Sequence, residues 1–200
     1  MAAAIGSCAA TSSRIDATTM TNDLERALGD WFERASSDPQ LWKLYAKGLF
    51  DSAEVLRAEY EHQWSEAATP PLNGTDDEVR LAFVHRSALL LYGFAIENLL
   101  KGLRVVAAGQ RRRRHVQTLK QGIQLQLGGH DLVAIADAAA IPMSRAESEL
   151  LRDLTEIVTW SGRYHLPRRS IDFGPIVDRR TKTIPAATLA RRLLDLYPSA

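Results

Sequence analysis

The chain has a single cysteine in 200 residues, Cys8, which excludes a disulfide framework and a cysteine-ligated zinc site within one chain. Such sparing use of cysteine fits a reducing compartment, and the expected localisation is cytoplasmic. No run of about twenty uninterrupted apolar residues occurs, so no membrane-spanning helix and no membrane partner are expected. The first ten residues lack the basic and apolar regions of a secretory signal. Sustained alternation of apolar and polar residues is missing, and with it the signature of a half-buried strand. There is no glycine-rich phosphate loop and no nucleophile elbow. The histidines are His62, His85, His115, His130 and His165; none are paired at ligand spacing, so no metal and no cofactor are expected.

What the chain does have is one dominant apolar stretch, RLAFVHRSALLLYGFAIENLLKGLR (80–104). Leu81, Val84, Ala88, Leu91, Ala95, Leu99 and Leu103 recur every three or four residues, the period of one helix face. Leu89, Leu90, Tyr92, Phe94, Ile96 and Leu100 widen that face until most of the circumference is apolar. Such a helix must be surrounded by others. Charge is confined to a strip at Arg86, Glu97, Lys101 and Arg104, where Glu97 and Lys101 have the i,i+4 spacing of a helix-surface pair.

The rest of the chain arranges itself around this helix. Residues 1–20 are small, polar and aperiodic and read as a disordered tail, leaving 21–200 as a single helical domain. A first helix is expected to start after Thr21 or Asn22 and to carry Leu24, Leu28, Trp31 and Phe32. Pro39 opens a second, to about Ala67, with Leu41, Leu44, Tyr45, Leu49, Ala53, Leu56, Tyr60 and Trp64 as its core face. After the loop at 69–74, Thr75 and Glu78 have capping-box spacing ahead of the central helix. A helix near His130 or Asp131 directs Leu132, Ile135, Ala136 and Ala139 inward. Ser144 and Glu147 form a second capping box, opening a helix with Leu150, Leu151, Leu154, Ile157, Val158 and Trp160. Residues 163–183 read as irregular, with a short extended piece near Ile176 and Val177. Pro185 begins a last helix carrying Leu189, Leu193, Leu196 and Tyr197. Every strong period is helical, so the fold class is all-α, an antiparallel helical bundle.

The near-neutral total hides an asymmetry. Residues 1–100 hold 8 Lys and Arg against 15 Asp and Glu, whereas residues 101–200 hold 17 against 9. The basic half includes Lys101, Arg104, Arg111, Arg112, Arg113, Arg114 and Lys120, with no acid between positions 98 and 130. A run of this kind can bind phosphates non-specifically, with strong salt dependence, or face an acidic partner, or be a solvated loop. No aromatic lies between Arg111 and Lys120, so the run contains no stacking platform for bases.

Three segments taken together resemble a known family. GFAIENLLKGL (93–103), the basic loop after it, GHDLVAIADAAAI (129–141) and TEIVTWSGRYHLPR (155–168) are similar in order and spacing to the HEPN superfamily, helical nucleotide-binding domains of higher eukaryotes and prokaryotes. The resemblance covers roughly residues 85–168. It implies a four-helix core, here with additional N- and C-terminal helices, and a homodimer. It also implies one of two activities. Many members are metal-independent endoribonucleases of toxin–antitoxin or phage-defence systems; others are non-catalytic modules that bind a nucleotide, RNA or a protein partner such as an antitoxin or a nucleotidyltransferase.

Catalytic members carry Arg followed four to six residues later by His, after the GFAIENLLKGL-like helix. Two pairs here have that spacing, Arg57 with His62 and Arg80 with His85, but both precede that helix. About one or two such pairs arise by chance from this composition, and they read as structural. In the expected region stand Arg163, Tyr164 and His165. Their types suit the chemistry: His exchanges protons near neutral pH and Arg holds phosphate with two parallel hydrogen bonds. In an extended segment Arg163 and His165 would point the same way. The plainer alternative is that Arg163 caps helix carbonyls, Tyr164 packs and His165 is solvated.

His130 and Asp131 divide similarly. His130 can meet a phosphate beside free helix N–H groups, or one of the two residues caps the helix while Leu132 anchors it. Three functions follow. They are a HEPN-like module binding a nucleotide, RNA or protein partner through Arg111 to Arg114, His130, Asp131 and Tyr164; an endoribonuclease acting through Arg163 and His165; and a helical interaction domain without nucleotide binding.

Overall fold

The computed structural model describes residues 17–66, 76–112, 129–161 and 182–198. Among them there are six helices and no strand, so the all-α expectation holds. The chain divides into two compact units, residues 1–37 and 38–200.

The described part of the first unit is one helix, α1 (Ala17–Ser37). It begins ahead of the expected Thr21 or Asn22, so residues 17–20 of the expected tail are helical. Leu28 and Trp31 are exposed.

The second unit contains α2 (Pro39–Glu66), α3 (Asp76–Arg112), α4 (Leu132–Ala138), α5 (Arg145–Glu156) and α6 (Thr183–Asp195). Asp38 starts α2, its Oδ1 accepting from the Gln40 N–H at 2.8 Å, and Pro39 takes the first helical position where a missing N–H costs nothing. The long α3 is the axis, with α2, α4, α6 and the end of α5 packed against it. Leu89, Tyr92, Ala95, Ile96, Leu99 and Leu100 are almost wholly buried, as expected for a helix apolar on most sides. It runs on through Gly109 to Arg112 rather than giving way at the basic run. Tyr60 lies against His85 and Phe50 against Tyr92, so α2 and α3 are antiparallel. Arg191 meets Glu54 while Gln40 donates to the Pro198 carbonyl, so α6 is antiparallel to α2.

The core face of α2 differs from the expected one. Leu44 and Tyr45 are 66% and 61% exposed. Ala53 and Tyr60 are buried as expected, with Leu49 and Leu56 at the margin, but Ala46 and Phe50 complete the buried stripe in place of Leu44 and Tyr45. The small residues explain the rotation, because alanines at the contact let two backbones approach closely and large apolar side chains would hold them apart. Gly102 of α3 extends the same logic. A Cβ there would collide with the Tyr197 hydroxyl and approach Trp42 Cβ to 2.6 Å. Gly93 does this on another side, where a Cβ would fall 2.5 Å from Val158 Cγ1. Leu196, expected inside, is also exposed, lying just beyond the end of α6. Tyr197 turns inward in its place and donates to the Leu99 carbonyl at 2.8 Å.

The short helices are fixed by their caps. Ser144 Oγ accepts from the Glu147 N–H at 3.2 Å and the Glu147 carboxylate accepts from the Ser144 N–H at 2.8 Å, the reciprocal box that the spacing predicted. The end of α5 widens into a π turn at Ile157–Ser161, and Ile157 and Val158 are both buried there.

Candidate functional site

The site begins with an oddity of α3. Glu97 sits among Ile96, Leu99 and Leu100 and is itself only 5% exposed. A carboxylate that far from water needs partners. Lys101, one turn on, brings Nζ to 2.6 Å from Oε1. The second partner comes from far along the chain: His130 Nδ1 lies 3.1 Å from Oε1 and 3.0 Å from Oε2. The expected surface pair is therefore a buried one, roofed by the residue that leads into α4. Arg104 lies seven residues after Glu97, on the same side of α3.

Local structure explains how His130 reaches this place. Gly129 has φ +117°, a backbone conformation open to glycine and costly for other residues. It lets the chain turn sharply into His130. Asp131 is then the N-cap of α4, its Oδ1 accepting from Val133 N at 3.1 Å and Ala134 N at 3.0 Å. The Leu132 N–H donates to Thr155 Oγ1 at 3.0 Å, which ties α4 to α5, and Leu132 is fully buried.

These bonds decide between the two readings of how α4 begins. The N–H groups at the start of α4 are not free for a phosphate, because Asp131 and Thr155 have taken them. Asp131 takes the capping role that was one of its two readings, its Oδ1 holding two backbone donors. His130 keeps its candidacy. Its side chain is 39% exposed, against 7% for Glu97 and 12% for Lys101. With Nδ1 engaged by Glu97, Nε2 is the ring nitrogen left to meet a ligand.

A second charged cluster lies between α2, α3 and α6. Glu54 accepts from the Tyr92 hydroxyl on one oxygen and from Arg57 at 3.0 Å and Arg191 at 2.8 Å on the other. Burial pushes the Glu54 carboxyl up, but hydrogen bonds from Arg57 and Tyr92, with the charges of Arg57 and Arg191, outweigh it and hold it below the usual carboxylate range. Burial and the Glu54 carboxylate push the Tyr92 hydroxyl up. Both oxygens of Glu54 are occupied, and Arg191 also rests over the Phe50 ring. This cluster is a structural tie between three helices.

The two Arg–His pairs with catalytic spacing lie on α2 and on α3. Arg80 is exposed while His85 is 4% exposed and packs against Tyr60. Arg57 is bound to Glu54 and Glu61, and His62 is exposed. Arg163, Tyr164, His165, Arg113 and Arg114 lie outside the described residues. Arg111 and Arg112 belong to the last turn of α3. Among the described residues no group of three His, Cys, Asp or Glu is placed to hold a metal ion. No helix of the described residues is long and apolar enough to cross a membrane.

The Glu97–His130 contact was not legible in the sequence, because its partners are 33 positions apart. The one available signal was Glu97 itself, a carboxylate inside the most apolar segment.

No family model, no curated protein and no solved structure matches this chain. The resemblance to HEPN domains rests on the three sequence segments that carry it.

Proposed function

We propose that the chain is a HEPN-like helical module that binds a phosphate-bearing ligand, a nucleotide or RNA, at the end of the bundle where α3 meets α4. The observation that carries this reading is the buried Glu97 carboxylate holding Lys101 and a half-exposed His130. A buried polar network costs stability unless every member is satisfied, and a cluster of this kind fits a site where ligand chemistry must be positioned. The acid-free, arginine-rich stretch that follows Asn98 in the sequence supplies the electrostatic attraction. The test is equilibrium binding of single-stranded RNA and of nucleotides at several salt concentrations, with and without replacement of Arg111 to Arg114 by alanine. The reading expects affinity to fall steeply with salt and the slope to shrink by roughly 0.7 per phosphate contact removed. Absence of binding, or a slope untouched by the replacement, contradicts it.

A second reading, association with another copy of this chain, is favoured by the outer face of α2. Tyr45 and Val55 are 61% and 69% exposed, and nothing lies within 4 Å of a Cβ built on Gly48 between them. Tyr45 and Val55, and Gly48 and Ser52, are symmetric about Phe50, so an antiparallel pairing of two α2 helices would set large residues against each other around a small crossing point. Sedimentation of the wild type and of Tyr45→Glu decides it: a dimer converted to monomer supports this reading, and a monomeric wild type rejects it.

A further inference from the structure

Glu97 and Lys101 cancel each other's charge inside the seam between α3 and α4. The net charge of the cluster is therefore decided by His130. With a neutral imidazole it is zero; with an imidazolium it is one positive charge, carried by the most exposed of the three side chains. The start of α4 provides no alternative anion site, because its N–H groups are spent on Asp131 and Thr155. Among the described residues, polar groups near the ring come from two helices and from the chain next to it. From α3 come Glu97 and Lys101, from the chain's own next residue the capping Asp131, and from α5 the neutral Thr155, whose hydroxyl holds the backbone of Leu132.

Resting on the phosphate-binding reading above, we propose that this site is proton-linked: it takes a phosphate group when His130 is protonated and releases it when the ring is neutral. His130 is the ligand-touching residue, donating through Nε2–H. Glu97 is a positioning residue, holding the ring at Nδ1, while Lys101 holds the Glu97 carboxylate in place. No covalent step is involved. A proton is taken from solvent as the phosphate binds and returned when it leaves. An imidazole is the side chain that changes charge between about pH 5 and 8, so affinity falls as pH rises through that range. Loss of one charge-assisted hydrogen bond corresponds to a weakening of roughly tenfold.

The choice of probe matters. A terminal phosphate monoester changes its own charge near pH 6, whereas an internal phosphodiester does not. The experiment is binding of a cyanine-labelled oligouridylate without terminal phosphates to the full chain, from about pH 5.5 to about pH 8. Wild type is expected to bind roughly tenfold tighter at the acid end. His130→Gln is expected to flatten the profile at the weak level, and Glu97→Gln, which keeps the shape of the side chain but loosens its hold on Nδ1, to weaken binding while keeping the pH dependence. Circular dichroism at each pH confirms that the variants keep their helices, and if Glu97→Gln does not fold, His130→Gln alone carries the test. Wild type and His130→Gln with the same pH slope overturn the proton linkage and leave the binding reading standing. Absence of RNA binding by wild type at every pH overturns both.

Discussion

The pairing of Glu97 with Lys101 can be separated from its burial by a double-mutant cycle. Glu97→Gln removes the negative charge while keeping the shape, and leaves Lys101 with a side chain 12% exposed and no counter-charge. Breaking a fully buried pair costs about 3–5 kcal/mol. Lys101 has a long stem that can carry its ammonium toward water, so a loss of about 2–3 kcal/mol is expected. Lys101→Met removes the opposite charge and keeps most of the stem; because Glu97 still has His130, its cost is expected at about 1–2 kcal/mol. The double variant has neither stranded charge and is expected to recover at least about 1 kcal/mol of the summed loss. Lys47 and Asp51 form the internal control, with the same i,i+4 spacing and the same 2.6 Å separation but side chains 56% and 55% exposed. Their coupling is expected below about 0.5 kcal/mol. Urea unfolding followed by far-ultraviolet circular dichroism measures both cycles. If the Glu97–Lys101 coupling is no larger than the Lys47–Asp51 coupling, the buried polar seam as described is wrong.

Other outcomes follow from the packing and the charges. Gly102→Ala and Gly93→Ala are each expected to lose about 1–3 kcal/mol because their Cβ atoms meet Trp42 and Val158, while Gly48→Ala, with open space, is expected to gain about 0.5–1 kcal/mol in the same unfolding assay. Tyr197→Phe removes the buried bond to the Leu99 carbonyl and is expected to cost about 1 kcal/mol, read as a lowered urea midpoint. Glu54 and Glu147 both titrate below the ordinary carboxylate value of 4.5. In Glu147 burial again pushes up, and the Ser144 cap bonds with Arg192 outweigh it. A carboxyl lower in the folded than the unfolded state stabilises fully above the unfolded value and loses that contribution as pH falls through the folded one. Stability should therefore decline progressively below about pH 4.5, and Glu54→Gln should shrink the decline; an acid profile unchanged in that variant would contradict the assignment.

Much of the fold could be read from local pattern. The central helix announced itself by period, the Ser144–Glu147 box by spacing, and Asp131 by its position before Leu132. These are effects settled within a few residues of the chain, where sequence is most informative. The face of α2 was not readable in the same way. Leu44 and Tyr45 look like core residues to any hydrophobic period, yet the close approach of α3 selects Ala46 in their place, and close approach is a property of two helices together. The buried state of Glu97 escaped for the same reason: α3 alone shows a carboxylate on a helix surface, and it is the return of the chain at Gly129 that brings His130 to it. Of the candidate site residues, His130 gained a defined partner, Asp131 became a cap, and Arg163, Tyr164 and His165 lie outside the described residues.

The most direct test of the central claim is to map the ligand on the protein. Amide and imidazole resonances of the full chain, followed during titration with single-stranded RNA at about pH 6, report each residue separately. The account expects the largest changes at Lys101, Arg104 and His130, with saturation at one common affinity. Changes confined to the outer face of α2 around Tyr45 and Val55, or none along the α3–α4 seam, would contradict it.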